Sequence, residues 1–180
     1  MKIVRIFDQH LFAFKYKNQA NEFERLFDFW ADVEELEAFF ENNQLDLGNP
    51  YWGNISVEEA ILRTMDEAQR LEDKLRGLSK QNNMSPKGLE TLFRPLNDMQ
   101  FQVDCILDKS KAKQNWLRIY ALRIEKDVYV ITGGAIKLTH KMEDRNHTRK
   151  ELQKIEKCRE YLIEQGIIDK EGLAEILEIC

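Results

Sequence analysis

The sequence predicts an α+β fold in which helices pack on an antiparallel sheet. Strand-like runs of β-branched and aromatic residues occur near the start and in the middle of the chain. Between and after these runs, apolar residues recur every three or four positions, which is the period of amphipathic helices. Strands and helices are therefore grouped rather than alternating, as is typical of α+β proteins. With 180 residues, of which 43% are hydrophobic, we expect a single domain over 1–180.

The N-terminal half predicts a short β element followed by a helical hairpin. Residues 1–18 contain two strand-like runs and predict a strand or a hairpin. From Asn21 the apolar period becomes that of a helix, which we expect to end near Asn43. A turn rich in Gly, Asn and Pro at 47–54 separates it from a second helix. Together they predict an antiparallel helical hairpin over 21–80.

Two helix starts are indicated by capping residues. Ser56 is followed three positions later by Glu59, and Thr148 is followed in the same way by Glu151. Each pair predicts a capping box, in which the hydroxyl and the carboxylate accept backbone amides at the helix N-terminus. We therefore expect C-terminal helices over 148–178.

The second half predicts the sheet, over residues 101–140. Its strand-like runs are 101–107, 115–124 and 128–138. Gly133-Gly134 lies inside the last run and predicts a bulge, or a place where another group closely approaches the backbone. Residues 81–97 are expected to be irregular, with one short helical turn ended by Pro95.

Charge, cysteine content and missing motifs exclude several classes of protein. Residues 109–160 hold 14 Lys/Arg against 7 Asp/Glu, a net of +7, whereas residues 1–100 hold 12 against 18, a net of −6. No apolar run approaches the roughly 20 residues that span a bilayer, and Asp8 interrupts any signal-peptide core. The three cysteines share no metal-site spacing, and familiar catalytic motifs are absent. We expect a cytoplasmic protein without membrane contact, metal or cofactor.

The basic block interleaves cations with aromatic side chains. Its members are Lys109, Lys111, Lys113, Arg118, Arg123, Lys137, His140, Lys141 and Arg145, with Trp116, Tyr120 and Tyr129 among them. Cations beside aromatic rings on a sheet are typical of nucleic-acid-binding surfaces. The alternative is an ordinary solvated face of an antiparallel sheet, which is the commoner role of such residues.

The order of residues in this block is more informative than its charge. The segment WLRIYALRIEKDVYVITGGAIKLTHKMEDRNHTRKELQKIEKCREYL (116–162) resembles the second half of RelE/HigB-type toxins, especially the phage Gp49-like branch. The resemblance extends over about residues 101–165. Arg118 falls at the family's strand arginine and Ile136-Lys137 at its apolar–lysine step, before a basic helix. Leu138 stands where the family has a second lysine.

This resemblance implies a RelE-like fold and an mRNA endoribonuclease of a toxin–antitoxin system, which cleaves RNA by 2′-OH attack without a metal. The implied partners are mRNA or the ribosome, and a neutralising antitoxin protein. Arg118 and Lys137 would then stabilise the phosphate, and His140 would act as acid or base, since histidine changes protonation near neutral pH. The implied substrate-binding residues are Lys113, Tyr120, Lys141 and Arg145. The alternatives are an ion pair across the sheet for Arg118 and core packing for Tyr120.

Two other functions stay open. One is a non-catalytic RNA- or protein-binding module on the same scaffold, and the other is a regulatory protein whose helical hairpin, 21–80, provides the contact surface. The catalytic hypothesis also has a geometric requirement. In a regular strand Lys137 and Lys141 share a face while His140 points away. The strand must therefore end or bend after Leu138 for the site to form.

Overall fold

The computed structural model of the protein describes residues 1–7, 9–79, 88–97, 103–106 and 115–179. Its strands are β1 (Lys2–Phe7), β2 (Leu11–Lys15), β3 (Phe93–Asn97), β4 (Val103–Ile106), β5 (Leu117–Glu125) and β6 (Val128–Ile136). Its helices are α1 (Glu22–Ala31), α2 (Val33–Asn42), α3 (Gln44–Leu47), α4 (Val57–Ser79), α5 (Asn146–Glu164) and α6 (Lys170–Ile179), with 3-10 turns at Leu89–Thr91 and Met142–Asp144. The fold is α+β, as predicted.

One mixed sheet joins the two halves of the chain. Its described strands lie in the order β1-β2-β6-β5-β4-β3. Neighbouring strands are antiparallel except for β2 and β6, which run parallel with Leu11 opposite Tyr129. The antiparallel pairing predicted for 101–140 is confirmed for β4, β5 and β6, but the whole sheet is mixed and extends beyond that range. Because four helices lie between β2 and the later strands, long-range packing rather than local sequence decides which strand β2 joins and in which direction.

Helices cover both faces of the sheet. On β2, Leu11 faces the core formed with α1, α2 and α4, whereas Phe12 faces the core formed with α5 and α6. Every residue of β6 is buried, as expected for a strand covered on both sides. An open basic face is therefore excluded for the described strands β5 and β6. Arg123 on β5, for example, forms an ion pair of 2.5 Å with Glu90.

The helical hairpin is present, but its first arm is broken. α4 packs against both α1 and α2. Asp32 interrupts the predicted helix, because its carboxylate accepts the amides of Glu34 and Glu35 at 2.9 and 3.0 Å and so caps α2. The Ser56–Glu59 capping box of α4 is confirmed, with hydrogen bonds of 3.1 and 2.9 Å.

The predicted capping box at Thr148 is wrong. α5 begins earlier, at Asn146, so Thr148 lies inside its first turn. The Thr148 hydroxyl donates to the backbone carbonyls of Met142 and Arg145 at 2.5 and 3.0 Å instead of accepting an amide. The Glu151 carboxylate accepts from Lys154 and does not reach back to the helix start.

The edge of the sheet also differs from the prediction. Residues 93–97, expected to be irregular, form β3, which among the described strands pairs with β4 alone and lies at the end of the sheet order. Pro95 is tolerated there because an edge strand leaves one side of its backbone without a ladder partner. Residues 81–87, where a short helical turn was expected to begin, lie outside the described residues.

The glycine pair in β6 fulfils both parts of its prediction. The register between β5 and β6 shifts opposite Tyr120 and Ala121, so that Thr132, beside Gly133, is the extra residue of a bulge. Side chains of α5 and α1 also approach Gly133 and Gly134 closely, leaving no room for a Cβ atom. These glycines let both helical layers pack directly on the strand.

A buried polar cluster ties α1 to α5. The Glu22 carboxylate, only 1% exposed, accepts from Arg25 at 2.8 Å and from Lys154 at 2.9 Å. Lys154 also pairs with Glu151 at 3.0 Å, and burial raises the pKa of the Glu151 carboxyl. The cluster therefore connects a helix on one face of the sheet with a helix on the other.

Candidate functional site

A cleft of about 780 Å³ lies where β5 begins, β6 ends and the segment after α2 meets them. We call it the cationic cleft. It is lined by Asp46, Asn49, Tyr51, Trp52, Arg118, Lys137, Leu138, Thr139, His140, Asp144 and Arg145. One wall therefore comes from α3 and the loop that follows it, and the other from the ends of two central strands.

The chain after β6 bends as the catalytic hypothesis requires. β6 ends at Ile136, and the Lys137 ammonium folds over the following loop and donates to the backbone carbonyls of Thr139, at 3.1 Å, and His140. The loop then passes into a 3-10 turn, where the Lys141 amide donates to the Asp144 carboxylate at 3.0 Å. This bend places Lys137 and His140 on the same cleft, which a continuous strand could not do.

The opposite wall is fixed by an aromatic anchor. Trp52 is 5% exposed and packs against Trp116 with ring centroids 5.2 Å apart. Its indole N–H donates to the Leu138 carbonyl at 2.8 Å, so the two walls are joined directly. Leu138 itself is 6% exposed and packs in the core. Tyr51, next to Trp52, remains 60% exposed at the cleft.

The side chain of Arg118 is oriented by hydrogen bonds to nearby backbone carbonyls. Its Nη1 donates to the carbonyls of Asn115 and Leu117 at 3.1 and 2.8 Å. Among the side chains that the structure describes, no carboxylate forms an ion pair with it. The alternative of an ion pair across the sheet is therefore not found in the described residues, and the positive charge of Arg118 is directed to the cleft.

Arg145 is held by a bidentate ion pair. Its Nε and Nη2 donate to the two oxygens of Asp46 at 2.8 and 2.5 Å, which anchors α3 to the start of α5. Hydrogen bonding and charge from Asp46 raise the pKa of Arg145. Three cationic side chains, from Arg118, Lys137 and Arg145, line the cleft together with two carboxylates, from Asp46 and Asp144. The formal net charge of the lining is therefore +1 when His140 is counted as neutral.

Four of the seven proposed site residues lie together. Arg118, Lys137, His140 and Arg145 all line the cationic cleft, and His140 is exposed there. Lys141 is exposed beside the cleft but does not line it. Lys113 lies outside the described residues.

The substrate-binding role predicted for Tyr120 is wrong. Tyr120 is 1% exposed and packs in the core between the sheet and the C-terminal helices. Its direction follows from the pleat of β5, because Tyr120 shares a face with Leu122 and Ile124, and α5 and α6 cover that face. Buried aromatic packing, the alternative for this residue, is what the structure shows.

Sequence reasoning missed the wall formed by residues 46–52. The tyrosine and tryptophan within the Gly/Asn/Pro turn were the available signal, since large aromatic residues are uncommon in a solvated turn unless they pack or bind. Asp46 gave no such signal, because its partner lies 99 positions away in the chain. Only the tertiary structure brings the two together.

The chain matches no family model, no curated protein and no solved structure at a significant level. No helix among the described residues is both long and apolar enough to cross a membrane. Within the same residues, no group of three or more His, Cys, Asp or Glu side chains is arranged to hold a metal ion.

Proposed function

We propose that the protein is a toxin-like mRNA endoribonuclease with a RelE-like fold, and that the cationic cleft binds and cleaves the RNA. The observation that supports this most is the convergence of Arg118, Lys137 and His140 on one cleft. Two cations and one imidazole are the side-chain types that metal-independent phosphodiester cleavage uses. Arg118 lies at the start of β5 and Lys137 directly after β6, which are two central strands, whereas His140 lies in the loop that follows.

In the proposed reaction the ribose 2′-oxygen forms a bond to phosphorus while the bond from phosphorus to the 5′-oxygen breaks. The 2′-OH loses a proton and the 5′-oxygen gains one, so the products carry a 2′,3′-cyclic phosphate and a 5′-OH. Arg118 and Lys137 stabilise the negative charge that builds up on the phosphate oxygens. His140 transfers one of the two protons, because an imidazole nitrogen can accept or donate a proton, and solvent water transfers the other.

The same proposal names the partners. The substrate is mRNA, free or on the ribosome, and the protein acts in the cytoplasm. An antitoxin protein neutralises it by covering the cleft. Because the cleft is lined by more cations than carboxylates, we expect the antitoxin to present acidic side chains to it.

Induced expression tests the proposal. The wild-type protein should arrest growth and cleave translated mRNA, whereas Arg118→Ala and His140→Ala should not. Arg70→Ala is the matched control, since Arg70 is 60% exposed on α4 and pairs with a neighbouring exposed aspartate. With the purified protein, a 2′-deoxy nucleotide at the cleavage site should abolish cleavage. If expression does not slow growth and the protein cleaves no RNA, the proposed endoribonuclease activity is refuted.

A non-catalytic RNA-binding module is the second candidate, and Leu138 favours it. Where the related toxins have a second lysine, this chain has an apolar side chain that packs in the core. One cation fewer reduces charge stabilisation at the phosphate without removing the binding site. RNA binding that depends on Arg118, without cleavage at any pH, would identify this function.

A further inference from the structure

Tyr51 is a large aromatic side chain held at the cleft instead of in the core. It is 60% exposed, whereas its neighbour Trp52 is 5% exposed. The two rings are nearly perpendicular, at 84°, with centroids 4.7 Å apart. Exposure of this size next to a set of cations calls for an explanation beyond packing.

The loop that carries Tyr51 is built to hold it in place. The Asn49 side chain accepts the Tyr51 amide at 2.9 Å, and the Trp52 amide donates to the Asn49 carbonyl at 2.9 Å. Gly53 and Asn54 then adopt positive φ values of 86° and 54°, which turn the chain into α4. A preorganised loop loses little entropy when it binds a ligand.

The position of Tyr51 matches the layout of a single-stranded nucleotide. Arg118 and Lys137 offer positive charge for a phosphate on one side of the same cleft, and Tyr51 offers a ring on the other. The volume of the cationic cleft, about 780 Å³, lies within the roughly 300–1,000 Å³ of typical ligand sites. Proteins that bind single-stranded nucleic acid combine such a cationic path with aromatic rings on which the bases stack.

We propose that Tyr51 is the base-stacking platform of the cationic cleft, and that it receives the unpaired base next to the phosphate bound by Arg118 and Lys137. The ligand class is single-stranded RNA, because a base within a duplex is not free to stack on a protein ring. Stacking does not distinguish strongly between bases, so Tyr51 contributes affinity rather than sequence preference. This inference rests on the proposed RNA binding but not on cleavage.

Binding of short RNA probes to the full chain tests the inference. The probes are fluorescein-labelled hexanucleotides with 2′-O-methyl riboses, which cannot be cleaved by 2′-OH attack, and anisotropy at low salt reports the binding. Tyr51→Ala should weaken binding roughly 5- to 150-fold, the contribution of one stacked base. Tyr51→Phe should bind almost like the wild type, because it keeps the ring. Leu45→Ala is the matched control, since Leu45 is 94% exposed nearby but does not line the cleft.

A second set of probes separates stacking from a general effect on the loop. Each hexanucleotide in this set lacks the base at one position. At one position the difference between the wild type and Tyr51→Ala should disappear, because the probe has no base to stack there. The inference would be overturned, with RNA binding left intact, if the wild type and Tyr51→Ala bound the intact probe equally. It would also be overturned if Tyr51→Ala bound every abasic probe more weakly than the wild type by the same factor. No binding by the wild type would overturn both this inference and the proposed RNA binding. Binding of the probe, with no cleavage of either an all-ribose probe or mRNA on ribosomes, would overturn only the proposed endoribonuclease activity.

Discussion

Replacing Gly134 by alanine tests the packing that positions the cationic cleft. Gly134 lies in β6 opposite Ile119 and under α1. A Cβ atom there would lie 2.5 Å from the Arg118 carbonyl oxygen and 2.8 Å from a methyl group of Leu26. Leu26 is 1% exposed and Arg118 lines the cleft, so both the core and the site must adjust.

The size of the effect follows from these distances. Ordinary contact begins at 3.4 Å, so the Arg118 carbonyl has to move by about 0.9 Å, the difference between 3.4 and 2.5 Å. Because this atom belongs to the backbone of a paired strand, it cannot turn away as a side chain would. Overpacking of this kind costs about 1–3 kcal/mol, and the loss of glycine's backbone freedom returns about 0.5–1 kcal/mol. Because the contacted atom belongs to the backbone, we take the upper half of the cost, about 2–3 kcal/mol, and expect a net loss of about 1–2.5 kcal/mol in the free energy of unfolding.

Urea unfolding followed by circular dichroism measures this loss. Gly77→Ala is the control, since Gly77 lies exposed in α4 and a Cβ atom there meets nothing within 4 Å. It should stabilise the protein by up to about 1 kcal/mol, because alanine favours a helix. If Gly134→Ala proved as stable as the parent, the close approach of β5, β6 and α1 would be refuted. The same variant should also bind single-stranded RNA more weakly, because Arg118 moves.

Three further predictions concern charge and burial. Asp46→Asn should strengthen binding of single-stranded RNA and steepen its salt dependence by about 0.7 in the log–log slope, because Arg145 becomes available to a phosphate; an unchanged slope would contradict this. Glu22→Gln should lower the free energy of unfolding, measured in urea, by about 2–3 kcal/mol, because Arg25 and Lys154 lose a carboxylate that is only 1% exposed. The control Glu24→Gln, at an exposed position, should change this free energy by less than about 0.5 kcal/mol. Cys158 is fully buried, and burial raises the pKa of its thiol to about 12, so the thiol stays protonated at neutral pH. Peptide mass spectrometry should therefore find Cys158 alkylated by iodoacetamide only after the protein is unfolded. Alkylation of Cys158 in the folded protein at the rate of a free thiol would contradict this prediction.

Features with a local physical cause were predictable from the sequence. The capping box at Ser56 was confirmed because its two hydrogen bonds join residues three positions apart. Gly133-Gly134 was correctly interpreted as a bulge and as a close approach, because glycine inside an apolar strand has few other uses. The break at Asp32 carried an equally local signal, an aspartate with glutamates two and three positions later, but it stood within a continuous apolar period.

Features decided by distant partners were not predictable. The parallel pairing of β2 with β6 joins residues more than 100 positions apart, and nothing in residues 1–18 specifies it. The edge strand at Pro95 was missed because proline usually excludes a strand, and only its position at the edge makes it acceptable. Tyr120 was assigned to the site because residue type alone does not show which face of a covered sheet a side chain occupies.

The site itself shows the same division. Arg118, Lys137 and His140 could be proposed together because they lie on one continuous segment, and they do line one cleft. The segment 46–52 could not, because its contribution depends on one indole–carbonyl hydrogen bond and one ion pair across the fold. Aspartate is common in turns, and the tryptophan at position 52, although unusual there, does not by its type identify a partner 86 positions away.

These two contacts change how the helical hairpin is understood. A hairpin that merely enlarged the fold would pack on the sheet and leave the strand ends open. Here the turn between its arms reaches the loop after β6, where the Trp52 indole holds the Leu138 carbonyl and Asp46 holds Arg145. Leucine at position 138 fits this arrangement, because its side chain fills the core while its carbonyl serves as the anchor. The hairpin therefore forms half of the cationic cleft, and the site depends on both halves of the chain.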